Sequence, residues 1–296
     1  MLFLRQTNPI SHFHRMKKTI FPFIFILLAS ACLMACGGVE RKASAKLDIA
    51  KQAYAQGDYA RAKAELDSIK TLYPKAFDTR REGNRLERRV ELAVQRLQMA
   101  RLDSLLASAQ TRLEQLKPAY AFEKDEEYQQ TGTYLHPSQV VERNLHRSFL
   151  RFQVDEQGKV SMTSIYCGRT SIHHTSVKVS APDGTFAQTP ASPDSYETTD
   201  LGEHIEKADY KLKQDGGVIE FIALNPDKNL RVDFMGDRTY TTQLTKAEKQ
   251  AAGAILKLAE VLDSIAQVKH DMEECRLKIG FLEERIKRDS LETLNK

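Results

Sequence analysis

The residues able to do covalent or metal chemistry are few, four cysteines and eight histidines in 296 residues. Cys32 and Cys36 close an apolar run, FILLASACLMACGG, and the next charge comes only at Glu40. Cys167 and Cys275 lie far downstream. An oxidising compartment would permit a bridge between them, whereas the place of Cys275 on an apolar helix stripe suits a buried free thiol. Of the six histidines beyond the first 36 residues only His173 and His174 are neighbours, and His136, His146, His204 and His270 stand apart. Adjacent residues on a strand point to opposite faces, so His173 and His174 cannot share a metal without a bulge. There is no HExxH, no GxSxG and no phosphate loop. The expectation is a chain with no metal, no cofactor and no enzymatic activity.

The segment around the first two cysteines has a leader's build. Met16-Lys17-Lys18 precedes TIFPFIFILLASACLMA, a short positive region followed by an apolar run of signal-peptide length. Pro22 and the small residues near its end make it marginal as a stable membrane span. Residues 1–15 add nothing a signal needs, so Met16 is the expected natural start. Leu33-Met34-Ala35-Cys36-Gly37 resembles the lipobox of bacterial lipoproteins such as those of Bacteroidota. The resemblance implies that residues 1–36 form a lipoprotein signal segment ending at its modification site. In that family the Cys36 thiol receives a diacylglyceryl group and, after cleavage, becomes an acylated N-terminus, with Cys32 as a second candidate. Several acyl chains, at roughly 0.8 kcal/mol per buried methylene, hold a protein to a bilayer durably. Ordinary secretion and an uncleaved anchor are the alternatives. No acidic cluster follows Cys36 of the kind that favours export to the outer surface in such lipoproteins. The expected location is therefore extracytoplasmic, on the periplasmic face of the outer membrane.

Charge excludes one class of partner. The chain has 44 Lys and Arg against 40 Asp and Glu, a net charge of +4. Arg5, Arg15, Lys17 and Lys18 fall in the leader with no acidic residue among them. They account for the whole excess. The rest is balanced, and the electrostatic case for nucleic acid disappears.

Ala43–Ala76 carries Gly57-Asp58-Tyr59 as a break between two helical patterns, then Ala62, Leu66, Ile69 and Pro74. This resembles one tetratricopeptide unit, which implies a close-packed helical hairpin over 43–76. A lone unit cannot bury both faces, and no second copy follows. A hairpin capping the neighbouring helix is the expected role, ahead of a peptide-binding groove.

Two longer helices flank a β region. Over 80–117 an apolar stripe runs through Leu86, Val90, Ala93 and Leu97, slips, and resumes at Leu102, Leu106, Ala109, Leu113 and Leu116. Over 246–295 a second stripe runs through Ile255, Leu258, Leu262, Ile265, Val268, Met272, Cys275, Ile279, Leu282 and Ile286. Steps of three and four residues keep such a stripe on one helix face. Neither stripe can stay wet, so the two helices are expected to pair antiparallel as a coiled-coil stalk; the alternative is pairing with a second copy of the chain. Between them, over 134–245, the period changes to two. Phe149–Val154 with Lys159–Tyr166, Ile172–Ser180, Tyr210–Lys213 with Val218–Leu224, and Leu230–Met235 with Arg238–Leu244 read as about seven strands, mostly in hairpins. Gln188–Asp200 reads as an exposed loop on which recognition could sit, near Tyr196 and Tyr210.

The predicted class is α+β: an N-terminal helical hairpin, a long antiparallel two-helix stalk, and an inserted antiparallel β-sandwich or partial barrel. Function is expected to be non-enzymatic, with the lipid-anchored chain docking another envelope protein. The alternative is a β domain binding a glycan, peptide or lipid on the stalk.

Overall fold

The computed structural model describes residues 38–127 and 130–294. The expected lipobox, with Cys32 and Cys36, lies outside them. The chain is 54% helical and 22% strand, with antiparallel sheets that do not close into a barrel. None of the described helices is long and apolar enough to cross a membrane. Two compact units divide at Ala100 and at Glu274, so that the helical unit takes both ends of the chain and the β unit takes Arg101–Glu273.

In the helical unit, α1 (38–55) and α2 (Tyr59–Leu72) form the expected hairpin, joined by the first part of α3 (Phe77–Leu116) and the last part of α5 (Lys246–Leu294). Gly57 adopts φ 77° at the turn, a conformation that costs other residues a Cβ clash. Asp58 then caps α2 by accepting the Arg61 N–H at 3.0 Å, filling one of the orphan donors of the first turn. Ala43, Ala50, Ala53 and Ala62 let the helices approach, with Leu47, Leu66, Ile69, Leu86 and Val90 filling the rest of this core. Glu40 accepts from the Thr79 N–H at 2.8 Å and its hydroxyl at 2.7 Å, which fastens the start of α1 to the start of α3.

Here α3 and α5 run in opposite directions: moving from Arg88 to Arg96 moves the paired carboxylate back from Asp289 to Glu283. Buried Cys275 donates its thiol to the Gln95 carbonyl at 3.1 Å and is a free thiol. Every position of the expected stripe on α5 is buried or half-buried, whereas Leu97 of α3 is 61% exposed. After the slip near Val90 the inward positions of α3 are Gln95 and Met99 instead, because the seam resumes on the register set by Leu102.

Among the described residues the β unit holds ten strands rather than about seven. A six-stranded antiparallel sheet has the order β1 (Ala121–Glu123), β2 (Thr133–Leu135), β3 (Phe149–Asp155), β4 (Val160–Gly168), β8 (Glu203–Lys211), β7 (Ser195–Asp200). A four-stranded antiparallel sheet has the order β10 (Thr239–Gln243), β9 (Arg231–Met235), β5 (Ser176–Ser180), β6 (Phe186–Gln188). Side chains of both sheets, with α4 (Val218–Leu224) and the first half of α5, form one buried cluster that includes Phe152, Met162, Val179, Ile219, Phe234 and Ile255. Thr245 and Glu248 start α5 as a reciprocal capping box, the Thr245 N–H donating to Glu248 at 2.9 Å and the Glu248 N–H to Thr245 at 3.2 Å. Glu248 also accepts the Leu150 N–H at 3.2 Å, and Gln139 accepts the Phe152 N–H at 2.7 Å. Those two side chains stand in where β2 is too short to pair with β3, leaving neither donor orphaned.

Two further expectations fail here. Val218–Leu224 is a helix, since Gly216 and Gly217 both have positive φ and fully buried Asp215 accepts the Ile219 N–H at 2.7 Å. A short apolar run carries no period that separates strand from helix. Part of the expected loop, Ser195–Asp200, is strand β7, paired with β8. The prolines stop at Pro193, and the Tyr and Thr beyond them favour extended chain.

Candidate functional site

In the helical unit, α2, α3 and α5 enclose a groove of about 680 Å³ lined by Tyr59, Lys63, Val90, Val94, Leu277 and Phe281, among others. Leu277 and Phe281 are four residues apart on one face of α5 and are 64% and 57% exposed. Val94 faces them from α3, 41% exposed. Lys63, Glu91 and Lys278 rim the groove. Large apolar side chains gathered in a rimmed concavity mark a contact surface more often than chance exposure does. The sequence stripe holds Val90 but missed Val94, Leu277 and Phe281, which lie off the seam; the Leu277/Phe281 spacing was the signal that could have found them.

The β unit contains a second constellation, which sequence reasoning also missed. The Ser164 hydroxyl lies 2.8 Å from His174 Nε2, and His174 Nδ1 lies 3.0 Å from a Glu206 oxygen. That is the order of a Ser–His–acid triad. A carboxylate only accepts, so Nδ1 carries the ring proton and Nε2 accepts from Ser164. Burial holds the ring below its ordinary pKa even though Glu206 opposes that. Glu206 also accepts from the Ser171 hydroxyl and from the N–H groups of Ile172, His173 and His174. Burial pushes this carboxyl up, but the Ser171, His174 and Ile172 hydrogen bonds outweigh it and hold it down at about 2. All three triad side chains are buried, Ser164 completely. A nucleophile must reach its acyl group, and Ser164 is sealed between His174, the Ala208 carbonyl and the core. The arrangement is a strut that locks residues 171–174 onto β8.

His173 and His174 occupy an irregular loop rather than a strand, with His173 at φ 50°. They still part: His174 goes inward while His173 meets Glu197 at 2.9 Å on the exposed side. His173, Glu197 and Glu206 offer atoms within 4.8 Å of one another, donor types that suit a divalent cation. Both Glu206 oxygens are already occupied by protein donors, so a metal there would have to break those bonds. Cys167 donates to Glu203 at 3.4 Å. Burial and that carboxylate push its thiol up to about 11, far from a reactive thiolate. Tyr210 is buried with its hydroxyl on the Thr175 carbonyl at 2.8 Å, and of the two tyrosines expected near the loop only Tyr196 is exposed. A groove of about 460 Å³ does lie under Pro190–Asp194, lined by Ser161, Asp209 and Lys211 among others. The expected acylation site, Cys36, falls outside the described residues.

Comparison with family models, with curated proteins and with solved structures found no match to this chain.

Proposed function

We propose that this is a lipid-anchored envelope protein, acylated at Cys36, that works by docking a partner protein rather than by catalysis. The apolar groove of the helical unit carries the reading, because Val94, Leu277 and Phe281 are left in water with a charged rim around them. The occupant that suits a groove between helices is an amphipathic helix of another envelope protein. In the same reading α3 and α5 form a coiled-coil stalk and the two sheets a sandwich. The opposed Arg88–Asp289 and Arg96–Glu283 pairs and the shared β core support this. The sealed Ser164 hydroxyl and the raised Cys167 thiol favour contact over chemistry.

A photoactivatable residue placed at Val94 or at Phe281 in living cells should give one discrete crosslinked species. The same residue at exposed Arg61 should give none. Absence of any species from the groove positions, or an equal yield from Arg61, would remove the docking role. A species of twice the chain's own mass would replace the partner by a second copy. Acyl labelling of the wild type against Cys36→Ser checks the anchor, since label that persists on the variant moves the modification to Cys32.

A further inference from the structure

On a different face of the helical unit, α1, α3 and α5 enclose a groove of about 780 Å³. Arg81, Arg85 and Arg89 point into it from successive turns of α3. The carboxylates there are engaged already: Glu82 by Lys51 at 2.7 Å, Asp78 by Arg81 at 4.0 Å, and Asp289 by Arg88 at 2.5 Å. Among the described residues Arg85 and Arg89 have no ion pair, although Arg85 is half-buried. With no carboxylate of their own, half-buried Arg85 and exposed Arg89 keep their guanidinium donors for another acceptor. One turn apart, they match the oxygens of a phosphate. The wall beside them is apolar, made by Tyr54, Leu86, Ile286 and Leu294.

We infer that this groove binds the phosphate of an anionic phospholipid headgroup, with the lipid's first carbons against the apolar wall. A free phosphate would use the arginines and leave that wall wet. The groove's Asp78 end lies beside Thr79, which holds Glu40. The four residues from Glu40 back to Cys36 span at most about 14 Å. This part of the inference rests on the anchor proposed above: acyl chains at Cys36 bring the groove to the bilayer surface, where basic side chains meet anionic headgroups.

Isothermal calorimetry on the full chain in a non-ionic detergent tests it, with three separate titrants: soluble dihexanoyl phosphatidylglycerol, its phosphatidylcholine counterpart, and inorganic phosphate. Phosphatidylglycerol should saturate one site and bind more tightly than either of the others. Arg85→Gln with Arg89→Gln should weaken it at least tenfold, equivalent to about 1.4 kcal/mol, and Arg61→Gln should not. No saturation, or unchanged affinity in the double variant, would overturn the site. Inorganic phosphate binding as tightly as the lipid would overturn the headgroup assignment. Should the double variant lose its helical signal, Arg89→Gln alone decides the matter by the same loss of affinity. Acyl labelling reports separately on the anchor, so failure of one leaves the other standing.

Discussion

The β unit buries Glu206, Asp215 and Glu248 almost completely and surrounds each with hydrogen-bond donors, whereas the helical unit leaves Leu97, Leu277 and Phe281 more than half exposed. The two also fill their cores differently. Large side chains such as Phe152, Phe234 and Met162 dominate the one, and alanines that bring backbones together dominate the other. Buried polar groups that are fully satisfied fix a unique arrangement and make it costly to disturb. Apolar side chains left in water do nothing for their own unit and become useful only when covered. The β unit too leaves large apolar side chains such as Leu201 and Leu224 exposed, so the contrast is between its locked buried carboxylates, which give rigidity, and the rimmed groove of the helical unit, which offers contact.

The largest expected effect attacks the rigid side. Glu206→Ala would strand the N–H groups of Ile172, His173 and His174 without their acceptor, and should cost about 3–5 kcal/mol in urea unfolding. A loss below about 1 kcal/mol would show that the strut is ornamental and that the contrast between units is overstated. Acid should act through the same residues. A carboxyl held at about 2 in the fold, against an ordinary 4.5, contributes fully above 4.5 and loses that contribution as pH falls toward 2. His174, whose pKa the fold depresses below 6.5, adds a loss that begins as pH drops through 6.5, because the unfolded chain takes up the proton first. His146 and His173, raised by Glu203 and Glu197, work against the His174 loss, and Asp183 and Glu203, also held low, keep their own acid losses. Below about pH 4.5 the urea midpoint of the wild type should therefore fall more steeply than that of Glu206→Gln, and parallel curves would contradict the role given to Glu206.

How much of this was legible in the sequence follows from the range of the interactions. The α5 stripe from Ile255 to Ile286 could be read because a helix face is a local property, and none of its positions proved exposed. The β3–β4 hairpin could be read for the same reason, since alternation and a turn suffice. Val218–Leu224 could not, because its start depends on Asp215 and two positive-φ glycines rather than on its own period. Leu97 misled because an apolar residue at a plausible step lies off the real seam once the register slips. The Ser164–His174–Glu206 strut joins three separate strands and loops, and no spacing in the chain announces it. Arg85 and Arg89 looked like ordinary helix surface until the positions of their neighbours' carboxylates were known.

A middle-sized effect sharpens the difference between the cores. Ala53 is buried between the helices of the hairpin, where extra methylenes have no space without separating backbones. Ala53→Leu should destabilise the protein by about 1–3 kcal/mol, read as a lower urea midpoint. A neutral or stabilising outcome would mean that the hairpin is loosely packed. Its small residues would then reflect composition rather than close approach, and the likeness to a tetratricopeptide unit would lose its physical basis.

The smallest stability effect is the one that bears most on function. Phe281 is more than half exposed, so Phe281→Asp should shift unfolding by less than about 0.5 kcal/mol, as surface changes usually do. The same substitution places a charge in the apolar groove, where a docked helix would have to desolvate it at a cost of several kcal/mol. The crosslink from Val94 should then vanish while the unfolding curve stays in place. That dissociation is what separates a docking surface from a packing surface. If Phe281→Asp lowered stability by about 2 kcal/mol or more, the size of a core substitution, Phe281 would belong to the fold's own core. The helical unit would then resemble the β unit in using its apolar groups for itself, and the division of labour between them would fall.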